Sequence, residues 1–525
     1  MPPGPPPDPP DDPPTGPAGD AGASGRRGRG PRHPLVRRTV VADALLDPGE
    51  RERLGFSPRD DVPLPVVVEL NLRHRGGLSG ARERFVELYQ RVPGDRPALG
   101  TEPVADTYFP CQLSIDQIRA LVADDMAGTD PATSAIYRIW PDFPVSPLID
   151  GSTATVKADA ARRSYGAAGR GITWAVVDSG IDASHLHFRT HSSLGDDVAE
   201  LHRDFTLPGP ATLGGALRDS FGHGTHVAGI IAGALPAKLP RPARVEVLER
   251  VVDPNEPDLS RIAKRQADPA HLAGMAPECK LVSLKALDDR GGGSSMNVVR
   301  ALEYVRKELN GSGRMLRVHG VNLSVGYEFD PKWFACGQSP ICAEVDRLVR
   351  SGVVVVVAAG NTGYGSLPSV QRQTDVGLAM TINDPGNAEL AITVGATHRD
   401  MPHTYGVSYF SSKGPTGDGR AKPDLVAPGE RITSCAAGGA LVGVFPDGPP
   451  PDPARVAVYV EDNGTSMAAP HVSGVIAAFL SIRREFIGQP ERVKRIFLES
   501  ATSLGRERYF QGYGLVDLMR AIQSI

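Results

Sequence analysis

Cysteine is scarce. There are five in 525 residues, at positions 111, 279, 336, 342 and 435, and no two of them form a Cys-x-x-Cys pair. That count and spacing exclude a disulfide framework and a cysteine zinc site. Cys336 and Cys342 flank "GQSPI" and are the one candidate pair for an oxidising compartment; free thiols are the default. Charge of one sign is not in excess either: the formal net charge is −4, which points away from nucleic acid and from anionic membrane surfaces. The single basic cluster, "GRRGRGPRH" at 25–33, lies in a stretch that reads as a solvated tether. No uninterrupted apolar run is long enough to span a bilayer, so no membrane partner is expected. The N-terminal "MPPGPPPDPPDDPPTGP" has neither the basic region nor the apolar core of a secretory signal. The expected location is therefore cytoplasmic, or secreted if the true start lies elsewhere.

What is present is a chain with 40% apolar residues and enough length for a large core. Residues 1–61 read as a Pro/Gly-rich, disordered segment and linker. From 62 to 150 a small α+β module is expected: strand "VPLPVVVELNL", helix "GARERFVELYQRV", strand "DTYFPCQL", helix "SIDQIRALVADD" capped by Ser114, and strand "AIYRIWPDFPV". From 151 to 525 the texture changes to strand-like runs that are apolar throughout: "GITWAVVD", "KLVSLKAL", "RVHGVNLSVG", "GVVVVVAAG" and "LAITVGA". Such runs suit strands buried on both faces of a parallel sheet. Helical patterns such as "NVVRALEYVRKEL" alternate with them. The expected fold is a doubly wound, mostly parallel α/β sheet with helices on both faces, and its site should lie at the C-terminal ends of the strands. No internal repeat is seen.

Three stretches carry chemistry. In "WAVVDSGID", Asp178 ends a buried strand before a Ser-Gly turn. In "DSFGHGTHVAGIIAG", His223 and His226 open a helix of small residues. In "EDNGTSMAAPHVSG", Gly464 and Thr465 form a turn and Ser466 opens a helix, with Pro470 expected in its first turn, where a missing N–H costs little. Taken singly, each residue has a plainer use: Asp178 as a turn former, the histidines as polar residues at a helix start, Ser466 as an N-cap. A His pair at this spacing could also suggest a metal, but no carboxylate or cysteine accompanies it in a ligand pattern. Together they supply an acid, a base and a hydroxyl, which is what a nucleophilic serine requires.

In order and nearly verbatim, "VVDSGID", "HGTHVAG" and "GTSMAAPHVSG" resemble the signature segments of the subtilisin-like serine peptidases. "VNLSVG", "AAGNTG", "GMAPECKLVSLKAL", "AITVGAT", "YFSSKGP" and "KPDLVAPG" extend the resemblance over roughly 150–523. The resemblance implies a subtilisin-like fold and a serine endopeptidase acting through an acyl-enzyme. Ser466 would be the nucleophile, His223 the base and then the acid, Asp178 the orienting carboxylate, and His226 structural. Asn361 and the Ser466 backbone N–H would bind the oxyanion. An extended protein or peptide substrate would pair with Ser324, Val325 and Gly326 on one side and Gly291, Gly292 and Gly293 on the other. Ala358, Ala359 and Gly360 would wall a pocket roomy enough for bulky apolar side chains. No cofactor and no metal site is implied; structural calcium is possible but no clear motif supports it.

The stretch 236–272 exceeds what compact members of that family need and reads as a surface insertion near the cleft rim. "LVGVFPDGPPPDP" is a second Pro-rich excursion. The 62–150 module resembles the inhibitory prodomain that precedes many such enzymes, making it an intramolecular partner with processing expected near 145–153. Two other readings compete with this one. A catalytically silent relative would keep the fold as a binding or regulatory module. A nucleotide-binding protein would need GxGxxG or GxxxxGK[ST] spacing, which is missing.

Overall fold

The structure is a computed structural model. It describes residues 40–53, 56–94, 99, 103, 106–127, 131–141 and 151–525, the last span apart from 208, 210, 237–238, 240–242, 254–255, 266, 312–314, 331, 333–334, 369–372, 446–450 and 454. The expected disorder of 1–39 and most of the expected processing segment lie outside the described residues. The chain divides into two compact units, Met1–Ser146 and Pro147–Ile525.

In the first unit, alternation in "LPVVVEL" puts Leu64, Val66, Val68 and Leu70 on one face of strand β1 (Leu64–Leu70). It pairs antiparallel with β2 (Tyr108–Leu113) and β3 (Ile136–Pro141), in the order β2-β1-β3. Helices Gly77–Arg91 and Ile115–Asp125 supply Phe85, Leu88, Ile118 and Leu121 to the same core. The second helix opens on a capping box between Ser114 and Gln117. The opposite sheet face carries half-buried Val67 and Trp140, whose indole donates to Glu69 at 2.9 Å.

One expectation fails here. Residues 40–61 were read as part of a linker, yet Val41 and Leu45 are in this core and Arg51 is fully buried. The Arg51 guanidinium donates to the carbonyls of Leu45, Ser57 and Pro58 and to Asp60. An arginine can be buried when its fork is satisfied in this way, and composition alone hides that.

The second unit is built on a seven-stranded sheet of β4 (Thr173–Asp178), β5 (Arg203–Asp204), β8 (Lys280–Lys285), β9 (Gly320–Leu323), β10 (Val354–Ala358), β13 (Ile392–His398) and β14 (Leu425–Glu430), in the order β14-β13-β10-β9-β4-β8-β5. β11 (Tyr364–Pro368) and β12 (Gln373–Gly377) pair antiparallel apart from it, and β6 (Arg244–Asp253) and β7 (Glu256–Arg265) belong to another sheet. All its neighbouring strands run parallel. The continuous apolar runs fill two cores: Trp174, Val176, Val354 and Val356 face one, and Ala175, Val177, Val355 and Val357 face the other. Helices Ser295–Tyr304 and Pro340–Arg350 cover the second core. Helix Thr465–Ile482 runs through the first. It is the one described helix long and apolar enough to cross a membrane, but 83% of it is buried in the protein, so it is a core helix. The chain builds β4, β5 and β8 on one side and then crosses to β9 on the other. The strand order therefore reverses between β4 and β9, and a cleft opens at their C-terminal ends.

The 236–272 stretch is more than a surface excursion. It forms a hairpin of β6 (Arg244–Asp253) and β7 (Glu256–Arg265), and β6 pairs parallel with β16 (Val456–Asp462) in a four-stranded sheet, β15-β16-β6-β7, with β15 at Ile432–Cys435. The alternation in "RVEVLERVVD" carries this. Val247 and Leu248 are both buried, on opposite faces of the strand.

Candidate active site

Asp178 is the last residue of β4, Ser324 follows β9 and Asn361 follows β10, so adjacent parallel strands deliver three of the expected residues to one edge of the sheet. Two helix starts deliver the others: His223–Ile231 begins with His223, and Thr465–Ile482 has Ser466 as its second residue. Helix N-termini present free N–H groups and favour negative charge.

The imidazole of His223 donates from Nδ1 to Asp178 Oδ1 at 2.8 Å. The same oxygen accepts the Ser179 N–H at 2.7 Å, and Oδ2 is buried with no partner among the described residues. Occupying Nδ1 fixes the tautomer and leaves Nε2 as the acceptor face. Burial disfavours a charge on His223. The Asp178 carboxylate, through charge and hydrogen bond, outweighs this with help from Asp462 and Asp219, and holds the imidazole up at about 9.

A second buried carboxylate, absent from the sequence expectations, sets the start of this helix. Asp219 Oδ1 accepts from Ser179 Oγ at 2.8 Å and Gly222 N at 2.7 Å, while Oδ2 accepts from Thr225 N at 2.8 Å and Thr225 Oγ1 at 2.7 Å. Ser179 Oγ in turn accepts the Gly224 N–H at 2.9 Å. The turn after Asp178 and the helix of His223 are thereby tied into one unit. Gly222, at φ 102°, lies where a Cβ would strike the Ala437 carbonyl. The cue in the sequence is an Asp four residues before the histidine, close enough to reach the first N–H groups of the helix.

Ser466 is held differently. Its helix is capped at Gly464, and Pro470 is the sixth residue, beyond the first turn where it was expected. A proline there cannot donate to the carbonyl four residues earlier, which is that of Ser466. Ser324 Oγ donates to that carbonyl at 2.8 Å, and Ser466 Oγ returns a bond to the Ser324 carbonyl at 3.1 Å. Asn322 Nδ2 donates to Ser324 Oγ at 2.9 Å, and Ser473 Oγ donates to Asn322 Oδ1 at 2.8 Å. In this resting arrangement the serine hydroxyl points to Ser324, and no bond from it to His223 is formed.

Asn361 is exposed, and its amide oxygen accepts both the N–H (2.9 Å) and the hydroxyl (3.0 Å) of Thr465. That leaves Nδ2 as a free donor. Nδ2 and the Ser466 N–H lie 3.4 Å and 3.6 Å from the point that a Cβ on Gly464 would occupy. Two N–H donors thus border a space kept open by a missing side chain, as an oxyanion site requires.

The substrate-lining expectations fare unevenly. Ser324 is buried, Val325 half-buried and Gly326 exposed along one edge. Gly291 and Gly292 spend their N–H groups on the Asp288 carbonyl and carboxylate, and Gly293 bridges to Leu287, so this turn is closed on itself. Ala358 and Gly360 reach the surface. Ala359 does not: its side chain is fully buried, because residues of a strand end alternate between core and cleft. His226 is buried, with Nε2 against the Val460 carbonyl at 3.2 Å. Cys336 and Cys342 are both free thiols. Among the described residues no three His, Cys, Asp or Glu side chains cluster in a way that could hold a metal.

A doubly wound parallel sheet with an Asp–His pair and a helix-start serine delivered to the ends of its adjacent central strands has the form of a subtilisin-like serine peptidase. The subtilase family model matches residues 169–515, and the chain belongs to that family. It is 25% identical over 393 residues to "Serine protease AprX" of Bacillus subtilis, covering 73% of this chain and 72% of that protein. Subtilisin E of the same organism is 27% identical over 413 residues, covering 78% and 77%. Subtilisin of Bacillus pumilus is 28% identical over 364 residues, covering 69% of this chain and 95% of that one. The protein is a serine endopeptidase.

Proposed function

We propose that peptide bonds are hydrolysed through an acyl-enzyme on Ser466. His223 Nε2 takes the hydroxyl proton as the bond to the scissile carbonyl forms, and returns it to the leaving amine. Asp178 holds the imidazole and stabilises its cation. Asn361 Nδ2 and the Ser466 N–H receive the oxyanion. The observation that carries this reading is an imidazole oriented by a buried carboxylate, together with two N–H groups beside Ser466 that border a common open space.

The resting bond from Ser466 to the Ser324 carbonyl fits substrate-coupled release. An extended chain pairing along Ser324–Gly326 brings an N–H to that carbonyl, competes for it and frees the hydroxyl to turn toward His223. The small Ala358 and Gly360 favour bulky apolar residues before the cut. The chemistry calls for no cofactor.

The first unit is proposed to be a folding aid and inhibitor, released by cleavage near 145–153. Its open sheet face, with Val67, Pro110 and Trp140, is what such a role requires. Labelling with a fluorophosphonate, lost in Ser466→Ala, tests the nucleophile. A wild-type protein that has lost residues 1–150 and still stays unlabelled would be a silent, binding relative, for which the present orientation of the hydroxyl is the one structural argument. Mass spectrometry tests processing: wild type should be shortened and Ser466→Ala intact, and an identical intact N-terminus in both sinks self-cleavage.

A further inference from the structure

Strand β8 ends on a buried cation that the proposed reaction does not use. Lys285 is its last residue and the direct register partner of Asp178 on β4, so the two side chains leave the same face of the sheet from adjacent strands. Only 5% of the Lys285 side chain is exposed. A buried ammonium is costly unless its N–H groups are taken up. Here Nζ donates to the Ser179 carbonyl at 2.8 Å and to Asp289 Oδ1 at 2.9 Å.

The two acceptors belong to different parts of the site. Ser179 follows Asp178: its N–H donates to Asp178 Oδ1, its hydroxyl donates to Asp219 and accepts from Gly224, and its carbonyl is the one Lys285 takes. The Asp178 carbonyl accepts the N–H groups of Ala286 and Leu287, at 2.8 Å and 3.1 Å. The end of β8 therefore grips the carboxylate's turn through backbone and side chain alike. Asp289 lies on the exposed turn after β8. The Lys285 ammonium, by hydrogen bond and charge, holds its carboxyl below the usual carboxylate range, and the Ser220 hydroxyl donates to it as well. Ser220 is in the loop that leads from Asp219 into His223. The same turn packs against that loop, since a Cβ on Gly291 would strike the Phe221 ring. One ammonium thus spans from the turn of the carboxylate to the loop of the imidazole.

We propose that Lys285 is a positioning residue for acyl transfer, holding the Asp178–Ser179 turn directly and the 219–223 loop by way of Asp289, at the separation that the Asp178–His223 bond requires. The inference rests on the serine-peptidase reading and adds to it a residue that acts through Ser179 and Asp289. Without the ammonium the Ser179 carbonyl is buried without that donor and the turn is free to settle elsewhere. A displacement of about 1 Å in the group that orients the base is enough to slow the chemical step strongly.

The test uses the full-length protein and a chromogenic peptide anilide. Active sites are titrated with a fluorophosphonate, so kcat is expressed per competent site and loss of folded protein does not enter. Lys285→Met should lower kcat by about 10- to 100-fold with KM within about twofold of wild type. Asp289→Asn, at an exposed position, should lower kcat by about threefold. In the double variant kcat should match that of Lys285→Met alone, because Asp289 acts through the ammonium. An unchanged kcat in Lys285→Met overturns the proposal. So does a change confined to KM, or a double variant in which the two losses multiply. If Lys285→Met gives no titratable sites, Asp289→Asn decides: the threefold loss supports the proposal and a wild-type kcat overturns it. Wild type that resists the label after losing residues 1–150 fails the peptidase reading itself, whereas labelled wild type with indifferent variants fails Lys285 alone.

Discussion

The proposed base, His223, and the proposed nucleophile, Ser466, both sit at helix starts, but the two starts are held by opposite means. The His223 helix is pinned by two buried carboxylates: Asp178 binds the ring, and Asp219 binds the N–H groups of Gly222 and Thr225 and the Ser179 hydroxyl. The Ser466 helix is held by neutral groups alone, a reciprocal exchange of hydroxyls and carbonyls with Ser324. Charge-assisted bonds in a buried setting are strong and leave the imidazole one orientation. The neutral exchange is weaker, and a substrate backbone can compete for it. Rigidity is thus placed under the base and adjustability under the nucleophile.

Substitutions can break each side in turn. The largest effect is expected from Ser466→Ala, which should lower kcat/KM on the order of 10⁶-fold and leave only binding and oxyanion stabilisation. Asp178→Asn should cost about 10⁴-fold, since the amide favours the wrong tautomer. It should also bring the acid limb of kcat/KM down from about 9 toward the ordinary histidine value, because the main source of the upward shift is gone. If Asp178→Asn moved neither, the base would not be held as described. Next come the oxyanion donors: Asn361→Leu should lose about 100- to 1000-fold in kcat with little change in KM.

Asp219→Ala should act on stability. It strands several buried donors, so the urea midpoint should fall by the equivalent of about 3 kcal/mol. The most gradual effect, spread over several pH units, is that of pH on the wild type. His223 has its pKa raised on folding, so its stabilising contribution is full below about 6.5 and is lost as pH climbs through about 9. His187 and His471 are buried and neutral, pushed down to about 3 and about 4 by desolvation, with His185 adding to it for His187. The unfolded chain binds those protons first, so stability should fall as pH drops below about 6.5. Urea midpoints across pH should show both flanks, and a profile flat on the acid side would contradict the burial of those two rings.

Motifs made the candidate site legible because each combines a residue type with a turn or helix start that the proposed chemistry demands. Asp178, His223, Ser466 and Asn361 all fall at one edge of the sheet, and the parallel strands follow from apolar runs buried on both faces. What stayed hidden depended on partners far along the chain. Pro470 looked like a first-turn residue until Ser324, distant in sequence, proved to take up the carbonyl that the proline leaves unbonded. Arg51 looked like a linker residue because its acceptors are carbonyls, which leave no trace in composition. Ala359 looked like a pocket wall because alternation at a strand end does not say which residue faces in.

The pairing of β6 with β16 couples the two helix starts through one strand. Val456 lies opposite Arg244, about 210 positions away along the chain, and β16 runs directly into the turn that presents Ser466. The Val460 carbonyl of that same strand meets His226 Nε2, in the helix that His223 opens. A cut or a deletion in the β6–β7 hairpin therefore reaches Ser466 and His223 together, although neither touches the hairpin in sequence.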